Sequence, residues 1–326
     1  MIAAPHRRPP RRWVASLPTS FAGRRRCFLA TLLTAAMMPA LAGPALGAKP
    51  DQTAPASPTR LFVVDDAAIL RRMVREGRRL AEAKETVRLE DLKHQLESRR
   101  TARVKLAFES AGAPARPVEQ WLPSRRQGTV AVVNAYLCDR CGRWHAAAAS
   151  GFFVSPDGLV ATCRHVVEGA EQGVLFVFTA AGRALPIEEV VAADADVDLA
   201  LLKVPGDGHP ALRLAEPPPT GAPVFVLSHP DDHFYVLTEG RVARHYRAMQ
   251  RGFRPHMMAI TADFALGSSG GPVFDAAGRV VALAASTDSV YYHETRRVQR
   301  DLQMVFKQCI PAVSLRRLAE QQQAGP

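Results

Sequence analysis

The chain has 326 residues, 47% of them hydrophobic, and its 42 Lys and Arg residues against 31 Asp and Glu residues give a formal net charge of +11. Residues 1–48 contain seven arginines and no acidic residue, so 35 basic and 31 acidic residues remain in the rest of the chain. The excess charge therefore belongs mostly to one end, which argues against nucleic-acid binding by the folded part. The apolar fraction is sufficient for a sizeable core.

Residues 1–48 have the composition of an export signal. The stretch RRCFL at residues 25–29 precedes a short apolar run rich in Ala, Thr and Pro. It resembles a twin-arginine export signal, and an ordinary Sec signal is the alternative. No later stretch approaches the ~18 uninterrupted apolar residues of a membrane span. We therefore predict a periplasmic or secreted protein with no stable membrane insertion after signal removal.

Residues 49–60 are predicted to be a Pro-, Ala-, Ser- and Thr-rich linker, and residues 61–117 a charged helical extension. In that extension apolar side chains recur at loose helical spacing, at Leu70, Val74, Leu80, Val87, Leu92 and Leu96. We expect Gly77 to interrupt the helix. The helices are predicted to pack on the rest of the protein, since no strict heptad supports the alternative of an oligomerisation helix.

Residues 118–320 are predicted to form one mostly β domain. From about residue 128, short β-prone runs such as TVAVVNAY, GLVATC, LALLKV and PVFVLS alternate with Gly, Pro and Asp. This spacing is typical of antiparallel barrels. The stretch IPAVSLRRLAEQQQ is predicted to be a closing helix.

The stretch GSSGGPVF presents Ser269 in a Gly-x-Ser-x-Gly pattern, which occurs at the nucleophile of two unrelated folds. In α/β-hydrolases the acid and the base follow the serine, but here only 57 residues follow it. In the chymotrypsin arrangement the order is His, Asp, Ser. His165 in VATCRHVV and Asp198 in DVDLALLKV supply that order, so the second arrangement is favoured.

Six stretches between residues 128 and 316 resemble bacterial trypsin-like serine proteases, nearest the Deg/HtrA type, in the same order: SGFFVSPDGLVATCRHVV, DVDLALLKV, PVFVLSHP, LTEGRVA, GSSGGPVFDAAGRVVAL and FKQCIPAVSL. The resemblance implies two antiparallel six-stranded chymotrypsin-like barrels with the active site between them. It also implies an oxyanion hole at Gly267, Ser268 and Ser269, built from the N–H groups of the first and last with Ser268 on the connecting turn. Because few residues follow the last expected strand, we expect no PDZ domain of the kind that Deg-type proteases often carry.

This family performs peptide hydrolysis through a Ser-His-Asp triad, and each residue type has a chemical reason. A serine hydroxyl is a weak nucleophile until a base takes its proton, which His165 would do. Asp198 would hold the imidazole in the correct tautomer and stabilise the imidazolium. The partners expected are protein or peptide substrates. The alternatives are a catalytically silent protease-fold binding module and an esterase-like serine hydrolase.

The resemblance also directs attention to Asp263, six residues before the nucleophile. In trypsin-like enzymes an acid at that place lies at the base of the main specificity pocket and selects Arg or Lys. Phe264 could instead narrow the pocket to small apolar side chains, and Asp263 could simply cap its own loop. Ser268 stands where digestive proteases have an acid that pairs with a freed N-terminus. We therefore expect no activation by cleavage within the barrel.

The stretch CDRCGRWH brings Cys138, Cys141 and His145 close together in a turn between two strands. A disulfide is natural in an exported chain, whereas zinc usually takes four ligands and only three are local. We therefore predict no cofactor and a disulfide or a bare thiol pair, with zinc as the less favoured alternative. Cys163 and Cys309 are expected to be buried structural thiols.

Overall fold

The computed structural model describes residues 61–100, 104, 106–109, 113–248, 254–295 and 298–320. The predicted export signal at residues 1–48 and the linker at residues 49–60 lie outside these residues. No helix within the described ranges is long and apolar enough to cross a membrane.

The described part is mostly β, with five α-helices and one short 3-10 helix. The helices are α1 (Asp66–Ala83), α2 (Leu89–Ser98), α3 (Val118–Gly128), α4 (Arg164–Glu168) and α5 (Val313–Glu320), and the 3-10 turn is Pro230–Asp232. The strands are β1 (Phe108–Glu109), β2 (Thr129–Leu137), β3 (Trp144–Ser155), β4 (Leu159–Cys163), β5 (Val174–Phe178), β6 (Ala184–Pro186), β7 (Glu189–Asp194), β8 (Leu199–Lys203), β9 (Leu214–Ala215), β10 (Pro223–Ser228), β11 (Val236–Arg247), β12 (His256–Ile260), β13 (Pro272–Phe274), β14 (Val280–Glu294) and β15 (Gln299–Pro311).

The first sheet contains seven antiparallel strands in the order β6-β5-β2-β3-β4-β8-β7. Consecutive hairpins account for the neighbours β2–β3, β3–β4, β5–β6 and β7–β8, whereas β2–β5 and β4–β8 pair strands that are further apart in the chain. The fold predicted for this half is confirmed as an antiparallel sheet. It has seven strands where six were expected. Among the described residues no ladder joins the two edge strands, β6 and β7, so the pairings do not close this sheet into a barrel.

The second sheet contains eight strands in the order β1-β9-β14-β13-β10-β11-β12-β15, with an additional ladder between β14 and β15. That ladder closes six strands, from β10 to β15, into an antiparallel ring. The short strands β1 and β9 lie outside the ring, and β9 pairs in parallel with both β1 and β14. The prediction of a six-stranded antiparallel barrel is therefore confirmed for this half.

The largest core cluster lies where the two sheets meet. Phe152 and Leu201 of the first sheet and Phe225 and Phe274 of the second are all members of it. Trp121 of α3 is buried there, with ring centroids 5.5 Å from Phe225 and 5.4 Å from Phe274. Aromatic pairs at this separation add stability beyond their buried area, so α3 helps to fix the two sheets around the cleft between them.

Helices α1 and α2 pack on the first sheet. Asp65 caps α1 by accepting a hydrogen bond from the N–H of Ala68 at 2.8 Å, and Met73 and Leu80 lie on its buried face. The expected interruption at Gly77 is wrong, because α1 runs through it without a break. A Cβ atom at position 77 would overlap the Cβ of Ala135, so glycine lets the helix approach strand β2 closely.

The end of the chain differs from the sequence expectation. Strands β14 and β15 form a long hairpin in which Val290 pairs with Met304 and Tyr291 with Leu302. The run RVVALAAS at residues 279–286 predicted the start of β14, but the outer part of the hairpin lay outside the predicted strands because much of it is exposed and its pattern is weakly apolar. The closing helix begins at Val313 rather than near Ile310, because Ile310 and the residues before it continue β15.

Candidate active site

His165 and Asp198 lie together between β4 and β8. His165 is in the first turn of α4, directly after β4, and Asp198 is in the turn between β7 and β8. The Nδ1 of His165 is 2.6 Å from Oδ2 of Asp198, and the backbone N–H of His165 donates to Oδ1 at 2.9 Å. The carboxylate therefore holds both the ring and the backbone of His165, which leaves Nε2 as the free ring nitrogen.

The backbone of Asp198 is itself constrained. Its φ is +63°, a left-handed conformation that is uncommon for residues other than glycine. Its carbonyl accepts a hydrogen bond from the N–H of Arg164 at 3.1 Å. The surrounding strands β7 and β8 thus maintain a conformation that directs this carboxylate at His165.

The pKa of His165 is raised above its usual value, chiefly by the hydrogen bond to Asp198, while burial opposes the shift. The carboxylate stabilises the imidazolium, so the ring is a stronger base than an isolated histidine. Such a ring can take a proton from a hydroxyl and return it to a leaving group.

Ser269 lies in the loop between β12 and β13. Within the described residues its hydroxyl donates a hydrogen bond to the carbonyl of Ala285 at 3.2 Å. Ser269, His165 and Gly267 line one pocket with a volume of about 350 Å³. The structure thus brings the serine and the histidine to the same pocket.

Two peptide groups beside Ser269 are held by their carbonyl oxygens. The carbonyl of Leu266 accepts from the N–H of Asp231 at 2.7 Å, and the carbonyl of Ser268 accepts from the N–H of Gly271 at 2.8 Å. The C=O and N–H of a trans peptide point in opposite directions. The N–H groups of Gly267 and Ser269 are therefore directed away from these anchors, and neither donates a hydrogen bond among the described residues. The N–H of Ser268 is occupied by the carbonyl of Ala265 at 3.0 Å.

Two buried serines that the sequence analysis did not single out hold this loop. Ser150 of β3 donates its hydroxyl hydrogen to the carbonyl of Gly267 at 2.9 Å, and Ser228 of β10 donates to the hydroxyl of Ser268 at 3.0 Å. Ser150 opens the stretch SGFFVSPDG, so the signal was a polar residue at the start of an apolar run. Because both serines are buried, their bonds to the loop are exchanged little with water.

The loop after β10 connects the N-terminal extension to the same site. Asp231, which holds the Leu266 carbonyl, belongs to this loop, and both Asp231 and Asp232 line the pocket. The N–H of Phe234 in this loop donates to Oδ1 of Asp66 in α1 at 2.9 Å. Helix α1 is thus connected to the Leu266–Gly267 peptide through this loop.

Asp263 and Phe264 are not among the residues that line this pocket. The side chain of Asp263 is 86% exposed and lies 3.4 Å from Nζ of Lys307. Phe264 is buried in the core cluster of the second barrel, and its carbonyl accepts from Nζ of Lys307 at 2.6 Å. The expectation of a free carboxylate at the base of a closed pocket does not match this exposed and paired Asp263. The position six residues before Ser269 does lie in this loop, but the spacing carries no information about Lys307, which pairs with the carboxylate of Asp263.

Cys138, Cys141 and His145 lie in the turn between β2 and β3 and at the start of β3, with their ligand atoms within 4.8 Å of one another. Both cysteines are free thiols here. The interaction of Cys141 with His145 lowers the pKa of this thiol to about 6. Cys163 and Cys309 are fully buried, as expected of structural thiols, and burial raises the pKa of both.

Comparison with known proteins shows what this fold and the segment that carries the site are similar to. Residues 149–283 match the family described as the trypsin-like peptidase domain, a segment that contains His165, Asp198 and Ser269. This segment of the chain is therefore similar to a trypsin-like peptidase domain. More particularly, it is similar to probable periplasmic serine endoproteases of the DegP-like type, which confirms the resemblance to the Deg/HtrA type that the motifs predicted.

Two such relatives come from Halomonas elongata, 36% identical, and Hahella chejuensis, 35% identical, each over 138 residues. Each match covers 41% of this chain and 28% of the relative, so the chain spans well under half the length of the curated relatives that it matches. Among solved structures, the HtrA-type protease AlgW with decapeptide is similar with a TM-score of 0.52 and 19% identity, over 63% of this chain and 67% of that one. At this identity the likeness concerns the fold.

Proposed function

We propose that this chain is an exported serine endopeptidase that cleaves peptide bonds through His165, Asp198 and Ser269. The observation that carries the proposal is the hydrogen bond between Nδ1 of His165 and Asp198 at the pocket that also contains Ser269. The trypsin-like peptidase domain and the DegP-like relatives support the same reaction class.

In the proposed reaction, Ser269 turns its hydroxyl from the carbonyl of Ala285 towards His165. Nε2 takes the hydroxyl proton as Oγ attacks the carbonyl carbon of the peptide bond. Asp198 stabilises the imidazolium that forms. The imidazolium then gives its proton to the leaving amine, and a water molecule, activated by the same ring, releases the acyl group from Oγ.

The oxyanion of the tetrahedral intermediate is proposed to accept hydrogen bonds from the N–H groups of Gly267 and Ser269. Both groups lack a partner among the described residues, and the carbonyls of their peptides are anchored. Donors that are oriented before the reaction need no reorganisation during it, and one such donor typically contributes about 3 kcal/mol to transition-state stabilisation. Ser268 does not serve as a donor in this proposal, because its N–H is already bonded to Ala265.

The pocket also suggests a substrate preference. Its walls include Ala146, Ala147, Ala148 and Ala149 of β3, and Asp231 and Asp232 add carboxylates. Small apolar walls with acidic groups suit the stem and cationic head of a Lys or Arg side chain. We therefore propose that peptides with a basic residue next to the cleaved bond are favoured.

The experiment that tests the activity combines a fluorophosphonate probe with casein turnover. Wild type is expected to be labelled at Ser269 and to degrade casein. Ser269→Ala should not be labelled, and its kcat should be about 10⁶-fold lower than that of the wild type. Ser289→Ala is the control, because this exposed serine of β14 does not line the pocket and the change keeps the proposed nucleophile.

Each alternative function predicts a different pattern. Labelling with turnover of simple esters but not of casein would indicate an esterase-like hydrolase. Absence of labelling in a folded wild-type protein would indicate a catalytically silent binding module. Near-normal casein cleavage by Ser269→Ala would contradict the proposed nucleophile. Export is tested separately, by fractionating cells that express the full chain and a variant with both Arg25 and Arg26 changed to Lys.

A further inference from the structure

The turn between β2 and β3 places three metal-ligating side chains around one point. The ligand atoms of Cys138, Cys141 and His145 lie within 4.8 Å of one another, and Sγ of Cys141 is 3.1 Å from Nε2 of His145. One other such group occurs among the described residues, Cys163 with His165 and Asp198, and it belongs to the candidate active site. The proposed catalytic chemistry does not use the turn cluster.

Backbone hydrogen bonds fix the turn that carries the two thiols. The N–H of Cys138 donates to the carbonyl of Arg143 at 2.9 Å, and the N–H of Gly142 donates to the carbonyl of Cys138 at 2.8 Å. Gly142 has a φ of +63°, which other residues adopt at a cost. The glycine directly after the second cysteine therefore allows the chain to reverse and return towards β3.

The sheet register holds the imidazole beside the thiols. His145 is opposite Tyr136 in the ladder between β2 and β3, and the two rings stack with centroids 5.8 Å apart and an interplanar angle of 25°. A ring held on one side by an aromatic neighbour has few other orientations, and Nε2 of this one is directed at Sγ of Cys141. Three ligands from two elements thus converge without rearrangement of the backbone.

The donor set and its spacing fit zinc. Two thiolates and a neutral imidazole balance the charge of Zn²⁺, and this combination suits Zn²⁺ better than the oxygen-seeking Mg²⁺ or Ca²⁺. Zn–S bonds of about 2.3 Å and a Zn–N bond of about 2.1 Å imply ligand atoms about 3.6 Å apart in a tetrahedron. The separation of Cys141 Sγ from His145 Nε2 is 3.1 Å, and the limit of 4.8 Å on all three pairs also admits this value. A disulfide would use only the two sulfurs and would leave the position of His145 unexplained.

We propose that Cys138, Cys141 and His145 bind one zinc ion, with a solvent molecule as the fourth ligand. The fourth position is open because Cys141 is exposed and the turn is at the surface. The ion would tie the end of β2 to the start of β3. The inner parts of both strands line the pocket beside Ser269, so the ion would stabilise a hairpin that forms one wall of the cleft.

The test uses the full chain, purified with a thiol reductant and without chelators, with zinc measured by elemental analysis. One zinc per chain is expected for wild type and for Arg140→Ala, which changes the turn but keeps all three ligands. Cys141→Ser and His145→Gln are expected to lose the zinc while keeping the far-ultraviolet circular dichroism of the wild type. Cobalt added to the metal-free wild type should give sulfur-to-cobalt charge-transfer absorption that Cys141→Ser lacks.

Two results with the purified protein would overturn the proposal. One is reduced, folded wild type that holds no stoichiometric zinc and shows no charge-transfer band with cobalt. The other is zinc that persists at wild-type level in Cys141→Ser. Peptide mapping of the chain isolated from the cell envelope without reductant gives a further decision, because a Cys138–Cys141 disulfide in most molecules would replace the metal as the occupant of this turn.

Discussion

The contact between Asp66 and Phe234 predicts that the N-terminal extension contributes to catalysis. Oδ1 of Asp66 accepts the N–H of Phe234 at 2.9 Å, in a loop where Asp231 holds the carbonyl of Leu266. That carbonyl sets the direction of the N–H of Gly267. Replacing Asp66 with alanine removes the acceptor of the Phe234 N–H. The loop that contains Asp231 is then free to move away from the carbonyl of Leu266, which would release the Leu266–Gly267 peptide group from its orientation.

The size of the effect follows from the bond that is lost. A hydrogen bond to a charged group contributes about 1.5–3 kcal/mol. Each 1.36 kcal/mol in an activation barrier corresponds to a tenfold change in rate. A loss of about 2 kcal/mol that fell entirely on the oriented state of the loop would lower kcat by about 30-fold, and a loss of about 3 kcal/mol, the upper end of that range, would set the upper bound for Asp66→Ala at about 160-fold. Because an oxyanion donor acts in the transition state, kcat should fall while KM changes little.

The assay is steady-state hydrolysis of a peptide substrate by wild type, Asp66→Ala, Asp66→Asn and Asp65→Ala. The Asn variant keeps an oxygen that can accept the N–H of Phe234, so partial recovery of kcat is expected. Asp65→Ala is the matched control, because Asp65 caps α1 through Ala68 and makes no bond to the loop. It should cost about 1 kcal/mol of stability and leave kcat unchanged.

Two outcomes would refute this reasoning. If Asp66→Ala lowers the melting temperature but keeps wild-type kcat, α1 stabilises the fold without positioning the site. If Asp65→Ala lowers kcat as much as Asp66→Ala does, the effect arises from the helix as a whole and not from the bond to Phe234.

Three further predictions concern pH, packing and specificity. The midpoint of the acid limb of kcat/KM should lie above pH ~6.5, the ordinary pKa of histidine, because the raised pKa keeps His165 protonated, and so inactive as a base, to higher pH. Asp198→Asn should shift this midpoint to lower pH and reduce kcat by about 10⁴-fold. Gly77→Ala should lower the melting temperature. The overlap of the new Cβ with Ala135 costs about 1–3 kcal/mol, which outweighs the gain of about 1 kcal/mol in helix propensity. A higher melting temperature would contradict the close packing of α1 on β2. In a peptide-library digest, Asp232→Asn should weaken the preference for basic residues and Asp263→Asn should not, and the reverse result would restore Asp263 as the selecting residue.

Some features were predictable because their signals are local. The order of His165, Asp198 and Ser269, each in or beside an apolar run, predicted the fold before any contact was known. Short β-prone apolar runs broken by Gly, Pro and Asp predicted most strands, since such residues end a strand at a turn. The helix at α1 was predicted from its apolar spacing, whereas Gly77 was misread because its reason is a neighbouring strand and not the helix itself.

The sequence by itself determined the class of the domain, the residue types at the proposed site, and the turn that brings two cysteines near a histidine. Tertiary structure alone decided which groups hold that site. Ser150 and Gly267 are 117 residues apart, and Asp66 and Phe234 are 168 residues apart, yet each pair forms a hydrogen bond. Packing of the sheets and α1 sets such contacts, and no local pattern carries them. The ion pair between Lys307 and Asp263 is also a contact between distant parts of the chain. Strands β12 and β15 must pair before Lys307 lies close enough to balance the charge of that carboxylate.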